Sequence, residues 1–557
     1  MSRVFEARPR VSPQHWKRGG LAIAAIVSTC LTTWAVQDDS DLAEVLHGPA
    51  STEHGDQLEL LSLVKGGKEN DAFELAFDTG DELFETRFNI VDGGGANVGN
   101  GQRFTRVPRA DLVGAGAWAN HVPSRATGPN AETCISCHSL PLPDGAGFAN
   151  SNVHRDPLHS GNMVLFIERN TPHLFAPGAL QRLAEEMTAD LARIRDTLVG
   201  SVCSSGGSAS APLESKGISF GVLTVTRTGT EPCTTTLDTS GVVGVSADLV
   251  VRPFQWKGSV ASLRDFNRDA AHNELGMQAV EIAGDGIDGD GDGVANELTI
   301  GDITSLAVYM AAQPRPTTNL ELDSLRLLEP RLTSDEKRQI DRGSRTFSEI
   351  GCATCHVPSL RIDVPIFSEP SQSPSFRDAL FPAGQDPLAL GVDPTFPVTF
   401  DLTKDQPDNR IKVGNKVVRL GSLTKDDRGR AVVELFGDLR RHDLGPAIAE
   451  TIDEVGTGAS VFLTENLWGV GSTAPYLHDG RATTLTEAIL AHGGEAAASH
   501  DAFLALGVND QRSLMAFLNN LVLFKSVATT SSDSQNGDDD DDDDGGDDGD
   551  DGDDDDD

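Results

Sequence analysis

Two C-x-x-C-H pentapeptides, a capped amphipathic segment running into the second of them, and an apolar stripe near residue 520 predict the fold class. It is mainly α, with two cytochrome c-like haem domains, extra loops and a β-containing insertion. The pentapeptides read Cys134-Ile135-Ser136-Cys137-His138 and Cys352-Ala353-Thr354-Cys355-His356. Two intervening residues make about one helical turn. That spacing sets both thiols against one porphyrin edge, where they add across the vinyl groups, and turns the histidine over the iron. A single copy also fits a redox dithiol or half of a zinc site. No further C-x-x-C is present to complete a zinc tetrahedron, so the pair is read as two covalently bound haem c groups.

The remaining elements follow in chain order. Arg8, Arg10, Lys17 and Arg18 precede an apolar run from Leu21 to Val36 that ends near the small-residue site Thr33-Trp34-Ala35. Residues 1–35 are read as a secretory signal, so the protein is expected to be periplasmic or otherwise exported. The run is interrupted by Ser28, Thr29, Thr32 and Thr33 and is short for a membrane span of ~20 apolar residues, so no stable span is expected. Cys30 lies in the run, but Val27-Ser28-Thr29 fits a lipid-attachment site poorly.

Residues 36–71 form an N-terminal segment, and residues 72–319 the first haem domain with its insertion near 200–250. Cys203 and Cys233 bracket a strand-like alternation from Ile218 to Thr226; they are read as a disulfide in an oxidising compartment, with two unpaired thiols as the alternative. Within the Asp-rich stretch 285–302, Asp288, Asp290, Asp292, Gly293, Asn296 and Glu297 resemble the opening of a calcium loop. Thr299 stands where the twelfth-position Glu belongs, which leaves Glu297 or Asp302 to substitute. One calcium ion or an unliganded acidic turn are the two readings. Pro314 and Pro316 mark the boundary to the second haem domain, residues 320–526.

In that second domain Thr333-x-x-Glu336 forms a capping box, followed by Ile340, Ser344 and Phe347 on one helical face. Asn509 or Asp510 is placed to cap a closing helix with Leu514, Phe517, Leu518 and Leu521 in a stripe. Thr484-x-x-Glu487 starts a short helix whose inner face carries Leu485, Ala488, Ile489 and His492, and Gly493-Gly494 ends it.

Residues 527–557 are a disordered acidic tail; its last twenty positions hold sixteen Asp and four Gly. The formal charge is −40, and without those sixteen carboxylates about −24 remains. No basic patch stands out, which disfavours nucleic acid as a partner. The expected partners are a soluble redox protein or a small-molecule electron donor or acceptor. The oligomeric state is not read from the sequence.

The segment Phe436 to Pro446, and above all Leu467-Trp468-Gly469-Val470-Gly471-Ser472-Thr473-Ala474-Pro475-Tyr476-Leu477-His478-Asp479-Gly480-Arg481, resembles the di-haem oxidoreductase family. That family is related to bacterial di-haem cytochrome c peroxidases and to the di-haem enzyme that matures methylamine dehydrogenase. The resemblance spans about residues 72 to 526, interrupted by the insertion. It implies a peroxide site at the first haem and electron relay at the second. His492 stands where the peroxidases have a methionine ligand, so His356 and His492 are the expected axial pair of the second haem, with a core histidine bonded to a backbone carbonyl as the other reading of His492. His478 competes for that place, but its loop is expected to support haem contacts instead.

For the first haem, on His138, the loop histidine His154 matches a removable distal ligand of the peroxidases. His159 is the near alternative, and His173 and His272 are further candidates. Arg169-Asn170-Thr171-Pro172 resembles the family's Arg-Asn-Ser-Pro segment. Phe254-Gln255-Trp256-Lys257-Gly258 and Glu274-Leu275-Gly276-Met277 are similar to its Phe-Trp-Asp-Gly and Glu-Met-Gly segments. The resemblance therefore implies an inter-haem bridge at Trp256 and an acid/base at Glu274. Lys257 replaces the acidic neighbour, and the Trp-to-Glu spacing is about two residues shorter, which leaves a core aromatic and a surface charge as the other reading. Three function classes stand: a peroxidase-like oxidoreductase, a bis-ligated electron carrier without its own substrate, and a modifier of another protein acting by long-range electron transfer.

Overall fold

Residues 53–94, 131–155, 165–289, 293–377, 381, 385–404, 406–407, 410–413 and 416–524 are described by a computed structural model. The expected signal at 1–35, Cys30, His159, Asp290, Asp292 and the acidic tail at 527–557 lie outside these residues.

The helices that position the two motifs are α1 (Gln57–Lys65), α2 (Glu69–Glu85), α3 (Pro177–Ser205), α4 (Leu263–Ala270), α5 (Ile300–Ala311), α6 (Ser334–Glu349), α7 (Leu485–Ala491) and α8 (Val508–Leu518). Each motif sits beside a crossed helix pair. In the first half α2 buries Ala72, Ala76, Phe77, Gly80, Leu83 and Phe84, an i, i+4, i+7 stripe, against the fully buried α5. Gly80 meets the Ser305 carbonyl, where any Cβ would clash. In the second half Gly343 of α6 meets the Ser513 carbonyl and Phe517 of α8 in the same way. A glycine at each crossing lets two backbones approach closely, which sets the helix pair that carries each motif.

The capping boxes read at Thr333–Glu336 and Thr484–Glu487 both form, with each threonine hydroxyl accepting a backbone N–H three residues on. The closing helix differs from expectation. It begins at Val508 with Gly507 at the N-cap and no side-chain cap, and Asp510 instead binds Arg342 of α6. Leu521 lies beyond it, in the strand Leu521–Val522 that pairs antiparallel with Thr317–Thr318.

The expectation of a mainly α architecture of two cytochrome c-like domains is corrected. The described residues are 39% helix and 17% strand, and the strands fall into seven small sheets. Only one of these sheets was signalled by the sequence. The strands β1 (Val153–Arg155) and β2 (Ile167–Arg169) pair beside the first motif. The insertion folds as an antiparallel sheet of β3 (Ser208–Ser215), β4 (Ile218–Thr230) and β5 (Cys233–Asp238), and β4 buries Ile218, Phe220, Leu223 and Val225. A Cys203–Cys233 disulfide, Cα–Cα 5.8 Å, ties the last turn of α3 to the first residue of β5. The remaining ladders lie mostly between residues 360 and 463, in strands of two to four residues such as Leu360–Ile362, Ile366–Glu369 and Val398–Asp401. Strands this short complete too few alternations to show a period of two.

One apolar cluster takes in residues on both sides of position 320, from Leu60 and Phe77 through Leu306 to Ile362, Phe400, Val433 and Trp468. A second cluster, with Ile340, Phe347, Leu485, Leu514 and Phe517, closes around the second motif.

Between α4, α5 and the strand Ile366–Glu369 lies a buried ion network. Arg264 binds Glu281, Glu369 (2.8 Å) and the Thr304 hydroxyl (2.8 Å), while Arg268 binds Glu281 at 3.0 Å. Burial pushes Glu369 up to about 7, against the opposing pull of Arg264. Arg264→Met leaves Glu369 buried without its cation, while Glu281 keeps Arg268, and is expected to cost about 3–5 kcal/mol in chemical denaturation. A loss below about 1 kcal/mol would show that the Glu369 carboxyl is already neutral there.

Candidate haem centres

The two motifs fold alike. Cys134–Ser136 and Cys352–Thr354 are single tight turns, and the His138 and His356 amides donate to the Cys134 and Cys352 carbonyls at 3.1 and 3.0 Å. The first turn is anchored by the Thr133 hydroxyl, which donates to the Phe84 and Glu85 carbonyls at the end of α2. The second follows α6 directly through Gly351, whose φ of +89° turns the chain sharply.

Each motif histidine is oriented by a carbonyl. His138 Nδ1 lies 3.2 Å from Gly145 O, and His356 Nδ1 lies 3.1 Å from Phe436 O. A carbonyl only accepts, so Nδ1 carries the proton and Nε2 keeps its lone pair for a metal. Burial lowers both imidazoles, His356 to about 4 with the nearby His492 adding to the effect, so both rings are neutral. The four motif cysteines are not in disulfides. Burial pushes Cys134 up to about 12 and Cys352 up to about 11. Cys134 and Cys352 are half-buried thiols beside apolar cavities, which fits haem edges better than a reactive dithiol.

The second cavity has about 1640 Å³ of open space including its mouth, and the first about 1180 Å³. Both are lined mainly by apolar side chains, the surroundings that suit a macrocycle. In the second cavity His492 faces His356 across 6.4 Å between ring centres, beside Phe347, Leu485 and Leu514. Two imidazoles sharing one metal by ~2.0 Å bonds place their ring centres roughly 6 Å apart. His492 stands at the C-cap of α7, and its Nδ1 lies 2.7 Å from Ala488 O, which again leaves Nε2 free to ligate. His478 is held elsewhere: it stacks on Phe462 at 4.3 Å, lies 3.8 Å from Glu450, and is lowered to about 3, mainly by burial.

The first cavity is lined by His138, Phe266, Asn273, Glu274 and Met310. Glu274 lies on a π-type turn, Ala271–Leu275, a local widening frequent at functional sites. Burial first, and then the charge of Glu274, raises the Cys137 thiol. His154 is not brought to this cavity. It sits on β1 with its ring half exposed and 3.9 Å from Glu168, while its neighbour Val153 lines the cavity, because successive strand residues face opposite ways. His173 lines both cavities but has both nitrogens engaged, Nε2 at 3.0 Å from Trp468 O and Nδ1 accepting from the Phe175 amide. His272 is buried with Nδ1 3.3 Å from Met277 O.

Trp256 lines both cavities, and its indole N–H donates to Asn170 O at 2.9 Å. In the Asp-rich loop, Asp288 accepts from the Gly293 amide and Asn296 Oδ1 from the Gly286 amide. Glu297 turns inward, buried, to accept from the Gln278 amide at 2.7 Å, and Asp302 caps α5 and binds His54.

Two site features escaped the sequence reading. His442 lies 2.9 Å from both Asp438 and Glu495 and 3.9 Å from Cys355 Sγ. Carboxylates accept from both nitrogens, which makes the ring an imidazolium; burial opposes the charge, but these partners outweigh it and push His442 up to about 10. The stability it contributes is full below the ordinary ~6.5 and is lost as pH rises through about 10. Denaturation midpoints of the native protein should fall across that window, and His442→Gln should flatten the fall. Equal slopes in both proteins would rule out the imidazolium. The other feature is Glu465, on the wall between the cavities. Neither was marked by a motif: Glu495 reaches His442 from a distant segment, and the wall that carries Glu465 is assembled only by folding.

The family described as "Di-haem oxidoreductase, putative peroxidase" matches residues 427–521. No curated protein matches. Among solved structures, the chain is similar to the "Crystal structure of a MauG-like protein associated with microbial copper homeostasis" at 16% identity and a TM-score of 0.20. The match covers 40% of this chain and 52% of that one, so the chain spans about half the length of this solved relative. No described helix is long and apolar enough to cross a membrane. Residues 427–521, which carry both Asp438–His442 and the Trp468-to-Arg481 run, are thus the part of the chain that matches the di-haem oxidoreductase family.

Proposed function

We propose that this protein is an exported di-haem c-type peroxidase-like oxidoreductase in which the second centre relays electrons and the first reacts. One observation carries the reading: the two cavities are built differently. His356 faces a second imidazole, His492, at a spacing that suits two ligands on one metal. His138 faces Glu274, Phe266 and Met310. A centre with two protein ligands transfers electrons, and one with an open position binds small oxidants.

Haem, when bound, supplies the electron storage and the reactive iron position. The chain's residues do the rest. Cys134, Cys137 and His138 would hold one group, and Cys352, Cys355, His356 and His492 would hold the other. Trp256 fills the wall between them as the bridge. Glu274, in a largely apolar pocket, is placed to move protons to and from a bound peroxide. The balance is one hydrogen peroxide, two protons, and two electrons from a reduced redox protein or small molecule, giving two waters.

The deciding experiment is a count of high-spin haem in the oxidised and half-reduced protein. One high-spin centre per chain with rapid oxidation by peroxide supports the reading. Two low-spin centres in every redox state would leave a bis-ligated electron carrier. Covalent attachment has its own test. A pyridine haemochrome assay is expected to give two haems per chain, and Cys352→Ala with Cys355→Ala one. An unchanged stoichiometry in the double variant would refute the thioether assignment.

A further inference from the structure

Glu465 lies on the segment Leu463–Asn466, which lines both cavities together with Trp256. The other acidic groups around it have taken partners. Glu450 and Glu454 bind Arg169, Asp438 and Glu495 bind His442, and Asp479 binds Arg481. Glu465 has no hydrogen bond or ion pair among the described residues. Burial alone acts on it and raises it to about 7, and no neighbouring charge contributes. An ionised carboxylate without partners in such a wall is costly, and the wall opens to solvent through the two cavities.

We propose that Glu465 is the proton-accepting group of the wall between the two centres, taking up one proton when a centre gains one electron. The proposal rests on the reading that both cavities hold haem. In balance, a one-electron donor of the reduced cytochrome or small dye class supplies the electron, ferric iron becomes ferrous, and the Glu465 carboxylate with one proton from water becomes the carboxylic acid. The proton offsets the charge that the electron adds to a region of low polarisability, so the electron enters more readily.

Several titratable groups that face this wall from neighbouring elements are held away from neutral pH. His173 is lowered to about 4 and His478 to about 3, both mainly by burial. His442 is held charged up to about 10, Arg169 is a permanent cation, and Glu495 is lowered in spite of its burial by its bond to His442. Glu274 and Asp269 line the first cavity and His500 the second, and these are the groups whose contributions the experiment must separate.

The test is spectroelectrochemical titration of the holoprotein at about pH 5 to 9, around the neutral range where Glu465 changes charge. The wild type is expected to show at least one midpoint potential that falls as pH rises through about 7 and levels off on either side. An ionised Glu465 favours the ferric form, so the sign is a lower potential at higher pH. Glu465→Gln should be flat across this window, and Glu465→Asp should keep the dependence, displaced to lower pH. Redox-difference infrared spectra should show a protonated-carboxyl band appearing on reduction, lost in Glu465→Gln. Unchanged haem content and visible spectra establish that the variants fold. If Glu465→Gln keeps the wild-type slope while Glu274→Gln loses it, or if the wild type is flat, the proposal is overturned. Peroxide turnover is measured separately. Flat potentials with turnover intact sink this inference alone, and a Glu465-dependent slope without turnover sinks only the peroxidase reading.

Discussion

His492→Ala is expected to convert the second centre from low-spin to high-spin and to stop electron relay to the first. The expectation follows from geometry. His492 faces His356 at 6.4 Å between ring centres, and each ring has its Nδ1 fixed by a carbonyl, Ala488 O and Phe436 O. Removing one imidazole leaves a cavity next to Leu485 and Ile489, and the other histidines nearby are engaged: His478 is stacked on Phe462, His442 is clamped between Asp438 and Glu495, and His500 Nδ1 lies 2.9 Å from Asp501. The low-temperature paramagnetic resonance spectrum should gain about one high-spin signal per chain, since a five-coordinate ferric centre is typically high-spin. Haem content by haemochrome assay should stay at two, because Cys352 and Cys355 are intact. A low-spin spectrum unchanged by the substitution would show that His492 is not the ligand.

Glu274→Gln is expected to slow peroxide turnover by roughly 10²–10⁴-fold, the usual contribution of a positioned acid/base, while both haems remain bound. The amide matches the carboxylate in shape but does not exchange a proton. Glu274 occupies a π-type turn at the edge of the cavity that holds His138, Cys134 and Cys137. Its backbone carbonyl accepts from the Ala131 amide, so the turn is fixed on the segment that leads into the first motif. Rate against pH separates this role from packing. The variant should lose the limb of the profile that reports the acid/base, and a purely structural residue would lower the rate equally at every pH. A turnover within about twofold of wild type would remove Glu274 from the mechanism.

Much of the site was legible in the sequence because its chemistry is local. The two C-x-x-C-H turns, the Thr484–Glu487 cap that starts the His492 helix, and the Trp468-to-Arg481 run all depend on neighbours within a few residues. The mainly α expectation failed where structure is not local. The ladders of residues 360–463 are two to four residues long and exist because distant segments pair them. His154 was read as a ligand from its spacing after His138. A pleat decided otherwise: on β1 it is Val153 that faces the cavity.

The sequence by itself determined the two C-x-x-C-H turns and a histidine at the end of a capped helix. Spacing within one turn fixes those geometries whatever surrounds them. Only the tertiary structure decided what lies between the centres. It set Trp256 and Glu465 on one wall, gave Glu465 no partner among the described residues, and enclosed His442 between Asp438 and Glu495. Charge and proton affinity depend on burial and on partners brought from afar, and these exist only once the chain has folded.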